Sequence, residues 1–335
     1  MRGSLIALTS VVLPVLVAAG PSMPSYAVTG SIAGPDGSWD YARVDADAHR
    51  LYIARSGAVT VADLGTDGKV SSWGDIARGH AVLPLPGNRL LVTSGNDGTV
   101  RFFDTVNGAQ ITSIAVGKKP DAAIYDAAHR RALVMNADSG TVSVIDTSAM
   151  KVTATLTVKP ALEYAALDKR GTLFINDEDA NEIEVVDVAT GKTSAAIAMP
   201  GCEGPTGLGY DPMHDRLISA CANGKAAIVD ARTRKLATLI DTGKGADAVI
   251  VDETRRLAFI PCGRDGVLDI LSLDAPGGIA KIGSITTEVG ARTGALDAKT
   301  GTIYLPTAKF GPPPADGKRP AMIPGSFHVL IVKRV

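Results

Sequence analysis

Seven polar or ionisable residues fall one per repeat along this chain: Asp40, His80, Asp121, Glu163, Thr206, Asp247 and Arg292. Each stands five residues before the Asp of a recurring apolar-Asp step or, in one copy, before Leu85. Four carboxylates, one imidazole and one guanidinium gathered in one place would carry a formal charge of about -3 with the imidazole neutral. Carboxylates crowded in this way either raise their pKa values or take up a cation. The chemistry to expect is therefore the binding of a small polar or cationic ligand. Its sharper form is a divalent metal held by His80, Asp40, Asp121 and Glu163. Imidazole with carboxylates suits Zn, Fe, Mn or Ni, whereas carboxylates alone suit Ca or Mg. The plainer alternative is that strand starts adjoin turns and are polar because they are solvated.

The remaining chemistry-bearing strings are missing. There is no G-x-S-x-G, H-E-x-x-H, C-x-x-C-H, P-loop or G-x-G-x-x-G after a strand. That counts against zinc proteases, α/β-hydrolases, c-type haem and Rossmann nucleotide sites. With 34 Lys+Arg against 35 Asp+Glu, the net charge of -1 gives no electrostatic reason to expect nucleic acid as partner. The expected partner is a small molecule or a protein, and the expected state is a monomer.

The elements that must position these residues are short strands. Aromatics make up only 4% of the chain, while 36 Gly and 19 Pro punctuate runs rich in Val, Thr and Ile. One register is an apolar pair and Asp, a turn, then an apolar strand, as in Val44-Asp45 before Leu51-Tyr52-Ile53. It recurs six more times, through Leu296-Asp297 before Ile303-Tyr304-Leu305. A second register is an alternating strand closing on Asp: Asp63, Asp104, Asp146, Asp187 and Asp230. There the carboxylate caps the following turn. A fourth, more polar strand follows. Four strands in a period of about 42 residues, repeated seven times, predict a seven-bladed β-propeller.

The ends fit that reading. The last unit stops at its third strand, and Val28–Ala33 resembles the fourth strands elsewhere. The N-terminal strand should therefore complete the last blade and close the ring, which limits exposed edges. Ahead of it, Leu5–Ala19 is apolar and Ser25-Tyr26-Ala27 offers small residues for a signal peptidase. We read residues 1–27 as a cleavable signal peptide cut near Ala27, and 28–335 as a single propeller domain. The protein should then be periplasmic or secreted, with no membrane span in the mature chain.

Units such as Leu133-Val-Met-Asn136 and Val142-Ser-Val-Ile-Asp146 resemble the YVTN-repeat family of propellers. Gly37–Tyr41, Cys202–Thr206, and Gly290–Thr293 with Pro306 through 313 extend the likeness to its exported, YncE-like members. The resemblance implies the fold. For function it implies a choice among binding scaffolds, lactone hydrolases and quinoprotein dehydrogenase subunits. The leading expectation is binding at the channel mouth. The rivals are a metal-assisted, lactonase-like hydrolase and a docking subunit of a periplasmic redox complex.

Two further features lie on the same face. Cys202 precedes the inner strand of the fifth blade and Cys221 ends the next strand, within bridging reach, and export permits the bond. Cys262 would remain a free thiol. The segment from Ala308 to Gly325, rich in Pro, is the longest connection and is expected as a lid or docking arm, or as a disordered loop.

Overall fold

The computed structural model describes residues 25–65, 68–312, 314 and 320–335. Residues 1–24 of the expected leader, and 313 and 315–319 of the long loop, lie outside the described residues. The chain forms seven sheets of four antiparallel strands, and no helix among the described residues could cross a membrane. The inner strands are Trp39–Asp45, Gly79–Leu85, Pro120–Asp126, Leu162–Leu167, Pro205–Asp211, Ile250–Asp252 and Ala295–Asp297. Each contacts the next, and the last contacts the first, so they close a ring around a central channel. This is a seven-bladed β-propeller.

The seventh blade is closed by the N-terminal strand. Tyr26–Ala33 pairs with His328–Arg334 from Tyr26↔Arg334 to Ala33↔His328. The strand begins two residues before the expected cut at Ala27. Tyr26 is buried, with its ring edge-on to Phe259 at 5.2 Å.

Burial explains the strand order. Second strands such as Arg131–Asn136, with Ala132, Leu133, Val134 and Met135 fully buried, pack between neighbouring blades. Of these, Leu133, Val134 and Met135 each contribute about 1.5–3 kcal/mol of apolar burial. Fourth strands such as Lys151–Thr157 face solvent almost throughout and are accordingly polar. Both Asp registers are turn-holders. Asp146 accepts from Ser148 N at 2.8 Å and Ala149 N at 2.9 Å, and Asp168 accepts from Arg170 N and Thr172 N. His129 and His214, though exposed, hydrogen-bond the repeat residues Asp126 and Asp211 at 2.8 Å.

One feature of the inner strands decides where the channel residues point. Pairing slips between Trp39 and Ala42, Gly79 and Val82, Pro120 and Ala123, Leu162 and Ala165, and Pro205 and Leu208. Each slip is a β-bulge with an extra residue on the inner strand, a device that re-aims side chains. Asp40, His80, Asp121, Glu163 and Thr206 all sit in these bulges.

Candidate functional site at the channel mouth

The bulges are held from the side by buried polar groups of neighbouring strands. Thr93 Oγ1 accepts from Ala81 N at 2.8 Å and donates to Asp121 O at 2.9 Å, so the second blade fixes the third. Asn176 Nδ2 donates to Thr206 O and Gly207 O, and Thr293 Oγ1 donates to Asp40 O across the closure. The segments leading into the strands are tied as well, often by the residue that ends the second strand. Arg55 donates to Pro35 O, Gly37 O and Ser38 O, and its guanidinium lies 3.9 Å from the Phe327 ring centroid. Burial pushes its pKa down to about 10. Cys221 plays the equivalent part through a disulfide to Cys202, with Cα atoms 5.4 Å apart. Cys262 is a buried free thiol, pushed up to about 12 by desolvation and by Asp269.

On this scaffold the seven expected residues divide into groups. His80 Nδ1 lies 2.8 Å from Asp40 Oδ2 and 3.7 Å from Asp121 Oδ1. Carboxylates only accept, so Nδ1 carries the proton. Burial by itself would lower the imidazole pKa. The Asp40 hydrogen bond, then the charges of Asp121 and Asp40, outweigh burial and raise it. His80 Nε2 is buried without a partner among the described residues, and it has room because residue 95 is glycine: a Cβ there would stand 2.9 Å from Nε2. Asp121 is buried, and desolvation raises its carboxyl to about 7, opposed by His80. Lys119 Nζ lies 3.9 Å from Asp121 Oδ2.

Opposite this trio, Arg292 Nε donates to Asp247 Oδ2 at 2.7 Å, and its NH2 group donates to Trp39 O. The one guanidinium among the seven is thus committed to one carboxylate. Asp247 is nevertheless raised, by burial and then by Asp40. Glu163 has neither a hydrogen bond nor an ion pair among the described residues. Burial, then the charges of Asp121, Asp247 and Glu178, push it up to about 10. Thr206 is the exception: its hydroxyl donates to Ala246 O at 3.0 Å, so it builds the wall and offers the channel little.

Ligand atoms of Asp40, His80 and Asp121 lie within 4.8 Å of one another, a spacing that could hold a metal ion. Glu163, expected as a fourth ligand, falls outside that group. A second such group, Asp177, Glu182 and Glu184, has Lys159 seated against both glutamates.

Reading the sequence missed two contributors. Tyr41, next to Asp40 in the same bulge, is buried in reach of Asp247, Glu163, Asp40 and Asp121. Burial and those four charges raise its phenol well above the ordinary value. Its ring centroid lies 4.8 Å from that of Tyr164, and this pair forms a floor beneath the acidic mouth. Glu178 adds a further carboxylate whose charge reaches both Glu163 and Asp247. Its only signal in the sequence is its place just after a second strand, on the mouth face. Beside the trio, a cleft of about 890 Å³ opens between the second and third blades, lined by Arg78, Lys118 and Lys119 among others. The base of the long loop packs nearby: Phe310 bridges to Met322 and lies 6.3 Å from Trp39.

No protein-family model matches the chain, and no curated protein matches it. Solved structures do. A chain in the crystal structure of a mitotic checkpoint complex aligns with a TM-score of 0.71 at 14% identity, covering 99% of this chain and 98% of that one. A chain of the Kuenenia stuttgartiensis hydrazine synthase aligns with a TM-score of 0.70 at 15% identity, covering 88% and 96%. The likeness is one of fold.

Proposed function

We propose that this is an exported, YncE-like propeller of the YVTN-repeat kind whose acidic channel mouth binds a cation. The cation is a divalent metal or the positively charged group of a small ligand or protein partner. One observation carries the reading: the four carboxylates of the seven ring residues meet at the mouth while the one guanidinium among those seven, Arg292, is already paired with Asp247. A bound cation would relieve repulsion that the scaffold imposes. Asp40, His80 and Asp121 would be its ligands, and a metal there would act as a Lewis acid toward a bound carbonyl. Elemental analysis of protein purified without chelator, followed by calorimetric titration with Zn²⁺, Mn²⁺ and Ca²⁺, tests it. Stoichiometric uptake that is lost in His80→Ala is the expected result. No uptake of any of the three, nor of a small organic cation such as putrescine, overturns it.

A second reading is a metal-assisted, lactonase-like hydrolase. It is supported by Glu163, whose pKa of about 10 keeps it a neutral hydrogen-bond donor at pH 7. Lactone hydrolysis that requires added metal and falls in Glu163→Gln would favour it over simple binding. A docking subunit of a periplasmic redox complex is the third reading. Its support is the fold shared with a chain of the hydrazine synthase structure.

A further inference from the structure

The two ends of the central channel differ in chemistry. Below the Tyr41–Tyr164 floor, where the inner strands run out, lies a second cavity of about 460 Å³. Its walls include Ile124, Ala166, Leu208, Val249, Val251 and Leu296. The cation in its wall is Arg43, which follows Tyr41 on the same face of the inner strand. The Arg43 guanidinium lies 5.4 Å from the Tyr164 ring centroid and has no hydrogen bond or ion pair among the described residues. The one acid in the wall, Glu253, is exposed.

An arginine in such a place is costly, because it cannot shed its proton to escape desolvation and no carboxylate offsets its charge. Desolvation does lower the Arg43 pKa, and the only charge that counters it is that of Tyr41. Two other arginines are matched by carboxylates: Arg256 makes two 2.9 Å bonds to Asp211, and Arg170 grips Asp215. Arg43 has no such carboxylate, and it lines an open cavity of mixed polar and apolar surface that is large enough for a small molecule.

We propose that this lower cavity is a binding site for a small organic monocarboxylate, with its carboxylate on the Arg43 fork and its hydrocarbon body against the Ile124, Leu208, Val249, Val251 and Leu296 side chains. Guanidinium and carboxylate match as planar, two-pronged partners. A phosphate or sulfate fits less well, since a single guanidinium replaces few of the hydrogen bonds that such ions make to water. The site lies beyond the tyrosine floor and does not depend on the mouth's holding a cation.

The test is calorimetric titration of the whole mature protein, without added metal, with hexanoate, hexan-1-ol and inorganic phosphate. Hexanoate should bind, and hexan-1-ol and phosphate should bind at least tenfold more weakly. Arg43→Met should cut hexanoate affinity tenfold or more while leaving the melting temperature unchanged or higher. Should that variant fail to fold, Arg43→Lys, which keeps the charge and loses the fork, must still weaken hexanoate more than hexan-1-ol. Undetectable binding of hexanoate at millimolar concentration, equal binding of the alcohol or phosphate, or full affinity in the Arg43 variants overturns the proposal. Because no metal is present, failure here is separate from failure of the mouth to take up a cation.

Discussion

Asp121 and Asp146 lie in the same blade and do opposite things. Asp121 is buried beside Asp40 and within the field of Asp247, so its charge is resisted by everything near it except His80 and Lys119. Asp146 is half-buried at a turn and accepts two backbone N–H bonds, which hold its carboxyl below the usual range. Asp121→Asn should therefore preserve or raise the melting temperature of the ligand-free protein while weakening cation binding tenfold or more, because it relieves crowding and keeps shape. Asp146→Ala should lower the melting temperature by a few degrees, through loss of a turn cap, and leave binding alone. Paired melts and titrations on the two variants decide the matter. A shared loss of stability with unchanged binding would make the mouth a structural feature.

At the scale of elements, the repeat was open to reading because its signals are local. Alternation, Asp at turns and a polar fourth strand each lie within one stretch of sequence. The bulges were not legible, because a slip in register leaves no mark on residue type. Thr206 looked like its six counterparts, yet its hydroxyl is engaged by Ala246 O from the next blade, forty residues on. Tyr41 was overlooked for the converse reason: the bulge places two successive residues where alternation allows one. Two element-level outcomes follow from the closure and from the tie at the fifth blade. Deleting Val28–Ala33 removes six of the strand's eight residues, and should lower the melting temperature by about 10 °C or more. Retention of full thermal stability would refute the closure. Thiol titration of the denatured, unreduced protein should find one thiol, that of Cys262, since Cys202 and Cys221 are joined; a count of three would break the tie.

For the whole molecule, the two populations of acidic groups set opposing pH limbs. Asp121 at about 7, Glu163 at about 10 and the raised His80 all bind protons more tightly when folded than when unfolded. Their contribution is fully present at low pH. It is lost from about pH 4 upward for the two carboxyls and from about 6.5 upward for the imidazole. Asp215, pulled down to about 2 by the Arg170 hydrogen bonds, and the lowered Asp211 and Asp126 act the other way. Their contribution is present above about pH 4 and is lost as pH falls toward 2. Ligand-free protein should accordingly be most stable between about pH 4 and 6 and lose stability steadily toward pH 8. A cation at the mouth competes with the protons that the buried carboxyls retain, so it binds more tightly as pH rises and should flatten the alkaline limb alone. Thermal melts from pH 3 to 9, with and without the divalent ion, measure both limbs. A melting temperature that climbs from pH 5 to 8 in metal-free protein would mean that the mouth carboxylates are neither crowded nor desolvated, and the case for a cation there would fall with them.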